Sequence, residues 1–209
     1  MRFVEYEPAM TSESHLVVHG DISIRLMRDH LDDYRRVVTW RNNPHVKEWW
    51  DPDDPPLTLE GAKAKYGPRI RGETPTTSCF IWLAHRPVGY IQFYPWSAYV
   101  DGAREMGWEP GADWFGVDVL IGEPDHISNG VGSRAVAALA DFLMSEHGGS
   151  AVALTVDRQN SRAIRAYEKA GFRILREVLE TDTRAGRRVP SWLMLRTGHV
   201  GADKTEVAG

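Results

Sequence analysis

The segment Asn160-Ser161-Arg162-Ala163-Ile164-Arg165-Ala166-Tyr167-Glu168-Lys169-Ala170-Gly171-Phe172 decides the reading of this chain. Asn160 suits an N-cap, because its side-chain oxygen can accept from amides of the first helical turn. Gly171 suits the left-handed position just past a helix end. Tyr167 falls near the helix middle. Reading backwards, Ala151–Val156 is a strand and Gly130–His147 an amphipathic helix, with Val136, Leu139, Phe142 and Leu143 on one face. The loop Asn129-Gly130-Val131-Gly132-Ser133 opens that helix, and the apolar run Trp114–Ile121 before it is another strand. Glycines let a ligand approach the backbone closely, and unpaired amides at a helix N-terminus favour phosphate. The pattern predicts a pyrophosphate cradle followed by a proton-handling tyrosine.

The other elements extend outward from this core. Ile22–Met27 alternates as a strand, with a short strand possible at Leu16–Val18. Leu31–Arg41 is a helix that Asn42-Asn43-Pro44 ends, and Thr58 can cap a further helix through Tyr66. Cys79–Ala84 and Val88–Tyr94 read as an antiparallel pair, and Ser97–Asp113 as an irregular acidic loop. Phe172–Leu179 and Trp192–Arg196 finish the pattern around a turn at Ala185-Gly186. This order predicts an α/β class with a mixed sheet and helices on its faces. One domain would span residues 22–197, with an N-terminal extension over 1–21 and a loose tail over 198–209.

A hydrophobic content of 42% supplies a core for 209 residues, and the single Cys79 leaves no intrachain disulfide. Cys79 lies in an apolar run and reads as a buried strand cysteine. His15, His19 and Asp21 are close in sequence but lack a metal motif, so no metal is expected. No apolar run is long enough to span a bilayer, and the first ten residues do not resemble a secretory signal. A cytoplasmic protein is expected. The net charge of −4 argues against broad nucleic-acid binding and suits a cationic small molecule. Gly130-Val131-Gly132-Ser133-Arg134-Ala135 also fits a dinucleotide-binding fingerprint. In that fold, however, the glycines directly follow the strand, whereas here Gly122–Asn129 intervenes.

Asp118 stands inside an apolar strand, where a carboxylate is costly without a partner or a role. Trp49-Trp50 follow Lys47-Glu48, and aromatic planes near acids suit sugar rings and ammonium groups. Asp101, Glu105, Glu109 and Asp113 make the following loop acidic.

Asn160–Phe172 resembles the Asn-x-x-Ala-Ile-x-x-Tyr-Glu-Lys-x-Gly-Phe signature of the GNAT N-acyltransferases. The resemblance runs from about Ile22 to Arg196 and implies the GNAT fold, a largely antiparallel sheet with splayed middle strands. It implies acetyl-CoA as co-substrate, its pantetheine along Val119, Leu120 and Ile121. The phosphates would meet Asn129, Gly130, Val131, Gly132 and Ser133, with Asn160 and Ala163 also in contact. Ile127 stands where the superfamily's loop usually carries Gln or Arg. His45-Val46-Lys47-Glu48-Trp49-Trp50, Gly89-Tyr90-Ile91-Gln92 and Gly116–Asp125 resemble segments of the aminoglycoside 6′-N-acetyltransferases. By that resemblance, Asp118 contacts the reacting amine and Tyr167 gives a proton to the departing thiolate. Trp49, Trp50, Gln92, Asp101 and Asp157 would then hold a polycationic aminosugar. Val119 replaces that family's Gln, and Asp157 is displaced by one position. The amine would attack the thioester directly through a tetrahedral intermediate. Two rival readings are a siderophore-type N-hydroxylysine acyltransferase and a non-catalytic acyl-CoA-binding sensor.

Overall fold

The computed structural model describes residues 15–181 and 188–198. The expected turn at Ala185-Gly186, residues 1–14 of the extension and residues 199–209 of the tail lie outside them. The N-terminal half holds strands β1 (His15–His19) and β2 (Ile22–Leu26), then helices α1 (Leu31–Asn42), α2 (Pro44–Lys47) and α3 (Leu59–Ile70). Strands β3 (Thr77–Leu83) and β4 (Arg86–Pro95), helix α4 (Val100–Glu105) and strand β5 (Trp114–Ile121) follow. Then come α5 (Val131–Glu146), β6 (Ala151–Asp157), α6 (Ser161–Lys169), β7 (Arg173–Thr181) and β8 (Arg188–Thr197).

The eight strands form one sheet in the order β1-β2-β3-β4-β5-β6-β8-β7. Every neighbouring pair is antiparallel except β5 and β6, which α5 connects as a parallel crossover. That parallel pairing covers only Trp114–Gly116 against Ala151–Ala153. Beyond it β5 continues to Ile121 while bonded, among the described residues, to β4 alone, so the sheet opens between β5 and β6. The mixed, largely antiparallel sheet with splayed middle strands is thus observed.

Helices cover both faces. Val136, Leu139 and Leu143 of α5 pack with Ile81, Ile91 and Val152 on one side. Tyr34, Val37 and Trp40 of α1 join Tyr66 of α3, Phe80 and Tyr90 on the other. Burial of each such side chain contributes about 1.5–3 kcal/mol. Edge-on ring contacts add specificity, with Tyr66 and Tyr90 centroids 5.4 Å apart. Strand alternation then assigns faces on β5. Val117 enters the α5 core, while Leu120 faces the α1–α3 core with Asp118 on the same side as Leu120.

Two stretches differ most from the sequence expectation. Helix α3 does not end at Tyr66 but runs through Pro68 to Ile70. Gly67 precedes the proline and offers no Cβ to clash with its ring. Ser97–Asp113 is not wholly irregular: it contains α4, held down by buried Ala103 and Trp108 beside Trp96. Cys79 is fully buried, and burial pushes its thiol far above the usual range. No group of three metal-ligating side chains occurs among the described residues. No helix among them is long and apolar enough to cross a membrane.

Candidate active site

Asp118 lies on the splayed half of β5, directly opposite Gln92 of β4 in the ladder. The Gln92 amide Nε2 donates to Asp118 Oδ2 at 2.7 Å. The amide oxygen of Gln92 accepts from the Tyr90 hydroxyl at 2.7 Å and from Arg69 Nη1 at 2.5 Å. Tyr90 OH is also 2.7 Å from Ser78 Oγ. The partner of Asp118 is therefore an amide, and no ion pair to it occurs among the described residues. Burial raises the Asp118 carboxyl above its ordinary value; Glu180 and Asp51 push the same way, while Gln92 and Arg69 oppose it.

Asp118 forms part of the floor of a cleft of about 780 Å³ that runs along the opening between β5 and β6. One wall is the segment after α2, with Glu48, Trp49, Trp50 and Asp51. Local chemistry fixes this wall. Asp51, at φ +49°, takes a 2.6 Å hydrogen bond from Arg41 Nη2 and a 3.3 Å one from Lys65 Nζ. Arg41 also stacks against Trp50 at 5.2 Å, and Trp50 meets Tyr90 edge-on at 6.2 Å. Trp50 is thus anchored to the core, and Trp49 lines the cleft beside it. On the far side, Glu180 of β7 lines the cleft and accepts from Thr155 Oγ1 at 2.5 Å.

The other end of the cleft is the N-terminus of α5. Gly130, at φ +77°, is the N-cap, so the helix begins one residue later than expected. The first intrahelical bond runs from Arg134 N to Gly130 O, which leaves the amides of Val131, Gly132 and Ser133 ahead of it. A Cβ built on Gly132 would meet only Ile121 side-chain atoms, at 3.6 and 3.8 Å. A side chain at Gly132 would therefore meet only ordinary contacts. Arg162, Arg165 and Lys169 of α6 place three cations along the same cleft. Free amides, an uncovered backbone and cations suit a polyanion.

Helix α6 forms as its sequence dictates. Asn160 Oδ1 caps Ala163 N at 3.0 Å. At the other end Gly171 has φ +88°, with Phe172 N bonded to Tyr167 O and Gly171 N to Glu168 O, both at 3.0 Å. This double bond pattern, with Tyr167 packed on Phe172, is a Schellman closure. It fixes the helix turn that presents Tyr167 to the cleft. Burial, and secondarily the Asp118 charge, raise the Tyr167 phenol well above its ordinary value, so it remains protonated at neutral pH.

Of the residues singled out in the sequence, Trp49, Trp50, Gln92, Asp118, Val119, Leu120, Ile121, Gly130, Gly132, Ser133, Asp157, Asn160, Ala163 and Tyr167 all line this cleft. Three do not. Val131 turns its side chain into the core, so it offers the cleft only backbone. Asn129 is exposed and donates to Asp125 O, securing the loop before α5. Asp101 is exposed in the first turn of α4. Sequence reasoning missed Arg69, Glu180, Arg162, Arg165 and Lys169. The last three recur every three to four residues on a helix already recognised, which is a legible signal. Arg69 and Glu180 depend on helix length and strand register and carry no local mark.

Residues 29–179 match the model of the acetyltransferase (GNAT) domain family. The aminoglycoside N(6′)-acetyltransferase type 1 of Klebsiella pneumoniae is 31% identical over 154 residues, covering 74% of this chain and 75% of that protein. The Serratia marcescens enzyme of the same name gives the same values. Among solved structures, AAC(6′)-Ib in complex with ribostamycin and coenzyme A covers 90% of this chain and 99% of its own. Its TM-score is 0.74 at 28% identity.

Proposed function

Because this chain belongs to the GNAT acetyltransferase family, we propose that it transfers the acetyl group of acetyl-CoA to the 6′ amine of an aminoglycoside antibiotic and so protects the cell that makes it. The observation that carries the reading is the half-buried Asp118 at the opening of the sheet, with Trp49 and Glu180 lining the same cleft. A cationic ring system needs such neighbours: a carboxylate for the reacting ammonium group, a second acid for a remote one, and an aromatic wall for the sugar.

The residues present also fit acetyl-CoA. The amides at the start of α5, with Gly132 uncovered and Arg162, Arg165 and Lys169 alongside, would hold its phosphates. The β6-facing edge of Val119–Ile121 has no strand partner among the described residues and would pair with the pantetheine amides. When bound, acetyl-CoA supplies an activated acyl group on a thiol leaving group. Asp118 orients the amine and takes up its proton, directly or through water. Tyr167 keeps a proton at its phenolic oxygen for the leaving sulfur.

A coenzyme A release assay with kanamycin, tobramycin, gentamicin and an N-hydroxylysine derivative tests the proposal. Release with the aminoglycosides, and a product carrying the acetyl group on the 6′ nitrogen, is expected. Release with the hydroxylamine alone would move the siderophore reading into first place.

A further inference from the structure

We propose that Arg69 and Tyr90 are positioning residues: together they hold the Gln92 side-chain amide in the one orientation that donates to Asp118. The inference rests on the reading that Asp118 acts on the amine. Gln92 is buried, and its oxygen receives two donors, the Tyr90 hydroxyl at 2.7 Å and Arg69 Nη1 at 2.5 Å. A phenol has one proton, and Tyr90 directs it to Gln92. The buried Ser78 Oγ, 2.7 Å from Tyr90 OH, therefore donates to Tyr90. The chain of donors runs one way, from Ser78 through Tyr90 and Gln92 to Asp118.

Turning the Gln92 amide over would set its NH₂ against the Arg69 guanidinium and the Tyr90 proton. It would also set its oxygen against the Asp118 carboxylate. Both ends would repel, so the orientation is fixed from two sides. One Asp118 oxygen is then held by Gln92, and the other makes no hydrogen bond among the described residues. The carboxylate is thereby oriented as an acceptor for an incoming amine. The charged and titratable groups around Asp118 are Asp51 after α2, Arg69 on α3, Tyr94 on β4, Tyr167 on α6 and Glu180 on β7. Arg69 is the cation among them, and its hydrogen bond into the site goes to Gln92. It stacks on Tyr66 at 5.5 Å and reaches the site through Gln92.

A double-mutant cycle tests this. In Arg69→Met and Gln92→Met, kcat for kanamycin should each fall about tenfold or more, the order expected for losing a hydrogen bond that serves a charged group. Acetyl-CoA affinity, measured by calorimetry, should not change. The double variant should be no worse than Gln92→Met, Arg69→Lys should recover most activity, and the acid limb of kcat/KM should move to higher pH in Arg69→Met. Losses that multiply in the double variant would overturn the proposal, because Arg69 would then act independently of Gln92. Exchange of the Gln92 side-chain amide hydrogens, followed by NMR in the free protein, gives a second readout. It should speed up about tenfold or more in Arg69→Met, and an unchanged rate would also overturn the proposal. This measurement needs no aminoglycoside. A wild type that acetylates none of them would refute the substrate reading while the positioning role is still decided.

Discussion

Replacing Gly132 by Asp separates two properties of a helix N-terminus that usually change together. Gly132 is the second residue of α5, outside the left-handed region of the backbone, and a Cβ there meets only ordinary contacts with Ile121. Asp can enter without strain. It should even stabilise the free protein, since a carboxylate in the first turn complements the helix dipole and any side chain there improves on glycine; together about 1 kcal/mol. For a chain of this size, that raises Tm by about 2–4 °C. The same carboxylate points into the cleft that would take the phosphates. Two unit charges about 5 Å apart at an effective dielectric near 20 repel by about 3 kcal/mol. Salt at the open mouth of the cleft reduces this, so a fall in acetyl-CoA affinity of at least about tenfold is expected. Thermal melts on the free protein and calorimetry with acetyl-CoA measure the two effects separately. A variant that melts higher and still binds acetyl-CoA as the wild type does would refute the cradle.

Tyr167→Phe removes only the phenolic proton, and kcat should fall by about 10²-fold with little change in the KM of the drug. Steady-state turnover decides it, and a wild-type kcat would leave Tyr167 as packing against Phe172. Burial raises the Asp118 carboxyl, so the folded chain binds that proton more tightly than the unfolded chain, and stability declines as pH rises through the folded value. Asp118→Asn should therefore lose kcat/KM yet melt higher than the wild type near pH 8, with the gap closing toward acid pH; parallel melts across pH check the sign. Glu180→Gln should raise the KM for kanamycin more than Asp101→Asn does, because Glu180 lines the cleft and Asp101 does not. Initial-rate kinetics on the two variants show which acid the drug meets.

Much of this geometry was legible because its causes are local. The Asn160 cap and the Gly171 closure each act over about one helical turn, and the apolar run of Trp114–Ile121 marks Asp118 as out of place. The end of α3 was not legible, because proline normally stops a helix and only Gly67 beside it relieves the clash. Helix α4 was hidden for a related reason: the acids and glycines of its stretch suggest a loop, while the buried Ala103 and Trp108 that hold it pack with residues far along the chain. The partnership of Gln92 with Asp118 required the β4–β5 register, across 26 residues. Asp101 shows the converse case. An aspartate matched by motif to a drug site is exposed on α4, while Glu180 of β7, which no motif marks, lines the cleft.

The brief pairing of β5 with β6 also makes the sheet a seam. Among the described residues its two parts meet at that point through three residue pairs, and everything from Val117 to Ile121 is laced on one edge only. Alternate amides along that stretch point either into the β4 ladder or into the opening. Deuterium uptake should accordingly show a tooth-like pattern, fast and slow by turns, where a complete sheet would be slow throughout. A ligand lying in the opening would smooth that pattern and tie the two parts of the sheet together, acting on the molecule as a ninth strand supplied from outside.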